Sequence, residues 1–206
     1  VLRANAGSTP YGIHLEEERG KGFMNINVRQ IVVAGILGAI AIVLGVTQLG
    51  FIPVPNLSGS ATIMHVPAIL GAVLEGPVVG VLAGLIFGIF SMVNDTSGLF
   101  TNPLVSVLPR VLIGITSWYA YKALVGRNQD LAAAVAGIVG TLTNTIFVVG
   151  MLVIFGLLPL EVVPTIVPQA IVEVIIAAIV TVVVARGVNL ARSGKTTASD
   201  SKDGNY

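Results

Sequence analysis

LAAAVAGIVGTLTNTIFVVGMLVIF, residues 131–155, contains no charged side chain. At about 1.5 Å per residue, an α-helix of this length measures roughly 38 Å, more than the ~30 Å hydrocarbon core of a bilayer. Its apolar residues show no period-two alternation, which argues against a barrel strand. The same reading extends outward to residues 31–49, 61–74, 77–93, 103–124 and 164–185. The sequence therefore predicts an all-α membrane protein, with six transmembrane helices in a compact bundle.

The separators have physical causes. Residues 51–59, FIPVPNLSG, contain Pro53 and Pro55, which cannot continue a helix. Glu75-Gly76-Pro77 forms a tight turn, with Pro77 suited to open the next helix. NDTSG at 94–98 is a loop signal. Composition agrees with a membrane domain: 54% of the chain is apolar and only 10% charged, where a soluble domain carries about 25%. A net charge of +1 offers no field for nucleic acid. The lack of cysteine excludes disulfides, thiolate metal sites and a Cys nucleophile.

Ten of the eleven Lys and Arg residues fall in the two tails or around the 125–130 loop, all on the same side of the six spans, and the three opposite loops hold none. This asymmetry predicts cytoplasmic termini. Three regions follow. Residues 1–23 form a polar tail, either a leader or a cloning remnant. Residues 24–188 form a membrane substrate-binding domain, and 189–206 a disordered cytoplasmic tail rich in polar residues.

Polar side chains inside apolar spans are costly and usually face protein or a cavity. Arg110 lies about two turns into its span. It is read as a fork for a carboxylate or phosphate, as a snorkelling group, as one paired with a loop carbonyl or with Glu173, or, if the helix starts at Pro109, as a surface residue. Gln169 and Glu173 belong to a four-residue stripe with Thr165, Ala177 and Thr181. Asn144 follows the small residues Ala132, Ala136 and Gly140 along one face, open to ligand binding or interhelical bonding. Thr62 and His65 lie one turn apart. His65 lacks companions at metal-ligand spacing, so no metal site is expected. Gln48, Asn94 and Asn102 read as caps or loop residues. Thr62, His65, Arg110, Asn144, Gln169 and Glu173 all map to one half of the bundle, which predicts a shared substrate cavity opening outward.

Small residues also form ridges. Gly76, Gly80, Gly84 and Gly88 recur every four positions and suit packing within the bundle. Ala34 with Gly38, or Gly35 with Ala39, could dock a second membrane protein. No Walker A, GxGxxG, HExxH or G-x-S-x-G pattern is present, so neither nucleotide hydrolysis nor any catalytic residue is expected, and no cofactor.

RQIVVAGILGA (29–39), ATIMHVP (61–67), EGPVVG (75–80) and LPRVLIG (108–114) resemble the substrate-binding S components of energy-coupling factor (ECF) vitamin transporters. The 61–67 stretch is most similar to the pantothenate-type group. The resemblance implies a subunit of the bacterial plasma membrane that captures a vitamin from outside. It implies as partners an energising transmembrane subunit, docked on the first-helix ridge, and two cytosolic ATPase subunits. Pantothenate, with its carboxylate, suits Arg110. Hydroxymethylpyrimidine, pyridoxine, cobalamin and riboflavin stay open, although a flavin site is expected to offer more aromatics than the 6% here. A stand-alone secondary transporter is the rival class.

Overall fold

A computed structural model of the chain describes residues 26–53 and 60–200. Residues 1–25, which include the expected leader, lie outside it, as do 201–206. Helix α1 spans Val28–Val46. Strands β1 (Phe51–Pro53) and β2 (Ser60–Thr62) form a small antiparallel pair, with Phe51 opposite Thr62. Helices α2 (Val66–Glu75), α3 (Pro77–Val93), α4 (Pro103–Ser106), α5 (Leu108–Leu124), α6 (Gln129–Ile154) and α7 (Val163–Asp200) follow. α7 runs past Val188, the expected end of the membrane domain.

With Pro103–Leu124 counted as one broken helix, six helices are present among the described residues. Only four are long and apolar enough to cross a membrane: Val28–Val46, Pro103–Leu124, Gln129–Ile154 and Leu160–Arg192. The expectation of six transmembrane helices is corrected accordingly. α2 has 10 residues and α3 has 17. These give roughly 15 and 26 Å against a ~30 Å hydrocarbon core. The cytoplasmic placement of both termini rests on six crossings and loses that footing.

The cause of the short α2 is Pro67. It has no N–H to give to the Ile63 carbonyl, and its ring would clash there in a continuous helix. The Ile63 carbonyl instead accepts the Val66 N–H at 3.1 Å, and the helix starts at Val66. Residues 61–65 stay non-helical although Ala61, Met64 and His65 are buried. Non-helical backbone is tolerated in such surroundings because neighbouring elements satisfy its polar groups.

The glycine ridge of α3 works inside the bundle. A Cβ on Gly84 would collide with the Arg110 carbonyl oxygen, and one on Gly88 would lie 2.9 Å from the Val107 Cα. The backbones of α3 and the α4–α5 segment therefore approach closely, which brings Phe87 against Arg110. On α7 the apolar residues Val167, Ile171, Ile175, Ile179 and Val183 are exposed, whereas Glu173, Ala177, Thr181 and Ala185 are buried. This polarity is that of a helix whose apolar side meets lipid.

The end of the bundle that carries the N-terminus of α1 is fastened by ion pairs. Glu75, at the end of α2, bonds both Arg29 of α1 (2.7 Å) and Arg192 of α7. Asp130 at the start of α6 pairs with Arg186 of α7.

Candidate functional site

At the opposite end, a cavity of about 300 Å³ lies between the end of α1, the β-pair, the end of α3, residues 94–100 and α5. Among the described residues that line it, Arg110 is the one cation and Asp95 the one carboxylate. The Arg110 side chain is 5% exposed. Its position follows from Pro109. In a regular helix the Val105 carbonyl would accept from the N–H of residue 109, which proline lacks. The helix breaks at Val107, and Arg110 Nη1 donates to the Val105 oxygen at 2.8 Å. The guanidinium carbon stands 5.0 Å from the Phe100 ring centroid and 5.4 Å from that of Phe87, within cation–π range of both. Arg110 Nε is buried without a hydrogen-bond partner, and no carboxylate pairs with Arg110 among the described residues.

The alternative of an Arg110–Glu173 pair is not realised. Glu173 Oε1 accepts the Thr62 N–H at 2.7 Å and the Gln169 side-chain N–H at 3.0 Å. The Thr62 N–H is available because residues 61–65 are not helical. Thr62, Gln169 and Glu173 therefore form one polar cluster, and Thr62 also borders the cavity. His65 belongs to another cluster. Thr141 donates its hydroxyl to the Gly137 carbonyl (2.9 Å), so its oxygen is left to accept from His65 Nε2–H, also at 2.9 Å. By that bonding Nδ1 carries a lone pair, and it has no partner. Asn144 is buried with Oδ1 unpartnered.

Of the six residues read as substrate-binding, Thr62 and Arg110 line the cavity. His65, Asn144, Gln169 and Glu173 do not. Sequence reading missed other lining residues. Gln48 and Asn94 border the cavity, whereas Asn102 does cap α4, accepting the Leu104 N–H at 2.9 Å. Phe51, Phe87, Phe90 and Phe100, four of the seven phenylalanines, gather at the cavity. The overall aromatic share thus conceals a local concentration. No group of three or more metal-ligating side chains occurs among the described residues.

Asp95 shapes one wall. Its Oδ1 accepts from the Ser97 N–H (2.9 Å) and hydroxyl (2.6 Å), and its Oδ2 from the Phe100 N–H (2.8 Å). Burial pushes the Asp95 carboxyl pKa upward, but the bonds from Ser97 and Phe100 outweigh it and hold the pKa below the ordinary value. The DTSG stretch carried a signal for this closure, since Asp side chains bond backbone N–H groups just ahead of them.

The small ridges of α1 separate into two faces. Ala34 and Gly38 are buried, and a Cβ on Gly38 would lie 2.7 Å from the Ile86 side chain of α3. Gly35 and Ala39 are exposed, and nothing within 4 Å would meet a Cβ on Gly35. The ridge free to meet another protein is the second.

Comparison with known proteins sets this geometry in a family. One relative, the pantothenic acid transporter PanT of Lactococcus lactis subsp. cremoris (strain MG1363), is 31% identical. The alignment covers 46% of this chain and only 57% of the relative. A solved structure described as the S component of a bacterial ECF transporter has the same fold. It superposes with a TM-score of 0.59 at 22% identity, covering 78% of this chain and 95% of that one. The model of the family described as "ECF transporter, substrate-specific component" matches residues 29–185, most of the chain. The chain belongs to that family, and is a transport subunit rather than an enzyme.

Proposed function

We propose that this chain is the substrate-capture subunit of an ATP-driven vitamin importer in the bacterial plasma membrane, and that pantothenate is its ligand. One observation carries the reading: an arginine only 5% exposed borders a cavity, with no carboxylate paired to it among the described residues. A buried cation is costly without a counter-charge, and a carboxylate ligand supplies one in fork geometry. The remaining polar lining, including Gln48, Ser91 and Asn94, suits hydroxyls and an amide. A volume near 300 Å³ is at the small end for ligand sites, which favours a compact vitamin over cobalamin. The relative named for pantothenic acid supports the same choice.

Calorimetric titration of the purified chain with pantothenate and with its neutral alcohol analogue tests this. Arg110→Ala is expected to weaken pantothenate about ten- to hundredfold, the loss of one hydrogen bond to a charged group, and to spare the alcohol. Equal weakening of both ligands in a folded variant removes the carboxylate from the reading. The four cavity phenylalanines favour a flat ring as the second reading, so pyridoxine, hydroxymethylpyrimidine and riboflavin belong in the same titration.

An energising transmembrane subunit and two cytosolic ATPases complete the proposed importer. The exposed Gly35 and Ala39 ridge is where the transmembrane subunit docks, since small residues allow close backbone approach. Gly35→Trp is expected to abolish co-purification with that subunit while ligand binding survives. Gly38→Trp is expected to disrupt the bundle itself, by collision with Ile86. Full complex yield with Gly35→Trp rules this ridge out.

A further inference from the structure

The Asp95 carboxylate forms no ion pair with an arginine among the described residues. Its three bonds draw residues 95–100 into a closed turn. Gly98 permits the turn through its positive φ of 76°. The end of that turn is fixed at the Phe100 N–H, and the Phe100 ring has two neighbours. It packs against the apolar cluster of Val105, Val148 and Leu152, and it lies 5.0 Å from the Arg110 guanidinium. Phe87, fixed on α3, lies against the same group. Three things therefore define where Arg110 points: the Val105 carbonyl, Phe87 and Phe100. Two of them are built into helices. The third is held by a side chain on a loop.

We propose that Asp95 is a positioning residue for the anion-binding arginine, setting the direction of the Arg110 fork by holding Phe100 against it. Asp95 and Arg110 line the same cavity without pairing, so the acid acts through the ring rather than by neutralising the cation. The opposite assignment, a carboxylate that repels anionic ligands, makes the reverse forecast for affinity. The inference rests on Arg110 as the carboxylate receptor, and the test separates the two.

The first measurement needs no ligand. With both rings within cation–π range, the Arg110 side-chain resonances of the purified chain are expected to be shifted upfield by ring currents from Phe87 and Phe100. Asp95→Asn keeps one acceptor oxygen, which can serve Ser97 or Phe100 but not both, so the closed turn is no longer held at both points. The variant is expected to return those resonances most of the way to the values seen in Phe100→Leu. An unchanged spectrum in a folded Asp95→Asn protein overturns the proposal, whatever the ligand proves to be.

The second measurement is calorimetric titration with pantothenate and its alcohol analogue. Asp95→Asn is expected to weaken pantothenate about three- to tenfold, the scale of one cation–π contact, with little change for the alcohol. In an Arg110→Ala background the same change is expected to have no further effect on pantothenate. Tighter pantothenate binding by Asp95→Asn, or an equal loss in both backgrounds, overturns the positioning role. If Asp95→Asn does not fold, Asp95→Ser takes its place in both measurements, because one short hydroxyl cannot hold both Ser97 and Phe100, and Phe100→Leu stays the reference spectrum. Wild-type affinity for pantothenate in Asp95→Ser is then the overturning result. If the wild-type chain ignores pantothenate while the resonance shift appears, the vitamin assignment fails and the Asp95 linkage stands.

Discussion

The two ends of the bundle treat buried and half-buried charge in opposite ways. At the end bearing Arg29, Glu75 and Arg192, each cation that holds Glu75 has a carboxylate, and the three residues come from α1, α2 and α7. At the cavity end, Arg110 has one backbone carbonyl and two aromatic faces. Paired charges are satisfied within the fold and fasten helices. A desolvated cation flanked by aromatic rings keeps its donors available for something that arrives. The difference teaches where to look for ligand chemistry: among charges the fold leaves incomplete.

That contrast can be broken most forcefully by giving Arg110 an internal partner. Ser91→Asp places a carboxylate in the same cavity and is expected to reduce pantothenate affinity more than tenfold, through repulsion of the ligand and capture of the cation. Undiminished affinity in the titration would show that the cavity does not read charge. A smaller effect is expected at the fastened end. The Glu75 side chain is 12% exposed and holds two arginines, so Glu75→Gln should lower Tm by about 2–4 °C in detergent and leave ligand affinity unchanged. Molar salt should narrow that gap in Tm by screening. The least effect belongs to Asp130→Asn, whose pair with Arg186 is exposed; its Tm should fall by less than that of Glu75→Gln.

Acidity sharpens the comparison through Asp95. A carboxylate whose folded pKa is depressed stabilises the folded form above its unfolded pKa of about 3.9, and that stabilisation is lost as pH falls through the lower folded value. The Arg110 resonances should therefore hold constant from pH 7 to about pH 4 and move only below it. Movement between pH 5 and 7 would assign the change to some other group.

Local punctuation made much of the fold legible. Pro77 and the NDTSG loop bound α3 at the residues expected, and the α6 reading of 131–155 falls within one or two residues of Gln129–Ile154. Length was harder. Hydropathy continues through residues 61–65, and only the hydrogen-bond requirement of Pro67 explains why the helix does not. Arg110 stood out as a charge in an apolar stretch, and the Val105 carbonyl left open by Pro109 was a local clue to its anchor. Phe87 and Phe100 were not legible as its companions, because α3 packing and loop closure bring them there. Nor could spacing reveal that Glu173 receives the backbone of Thr62, 111 residues away.

Pro109 and Arg110 behave as a coupled dipeptide. The proline leaves a carbonyl vacant and the next side chain occupies it, so the break in the helix and the bearing of the guanidinium have one origin. Restoring an N–H with Pro109→Ala would let the backbone close over Val105 and displace the arginine from its mooring. A change that looks like a gain in helical regularity would then cost the site its orientation. Engineers seeking a more stable bundle by removing prolines should leave this one in place.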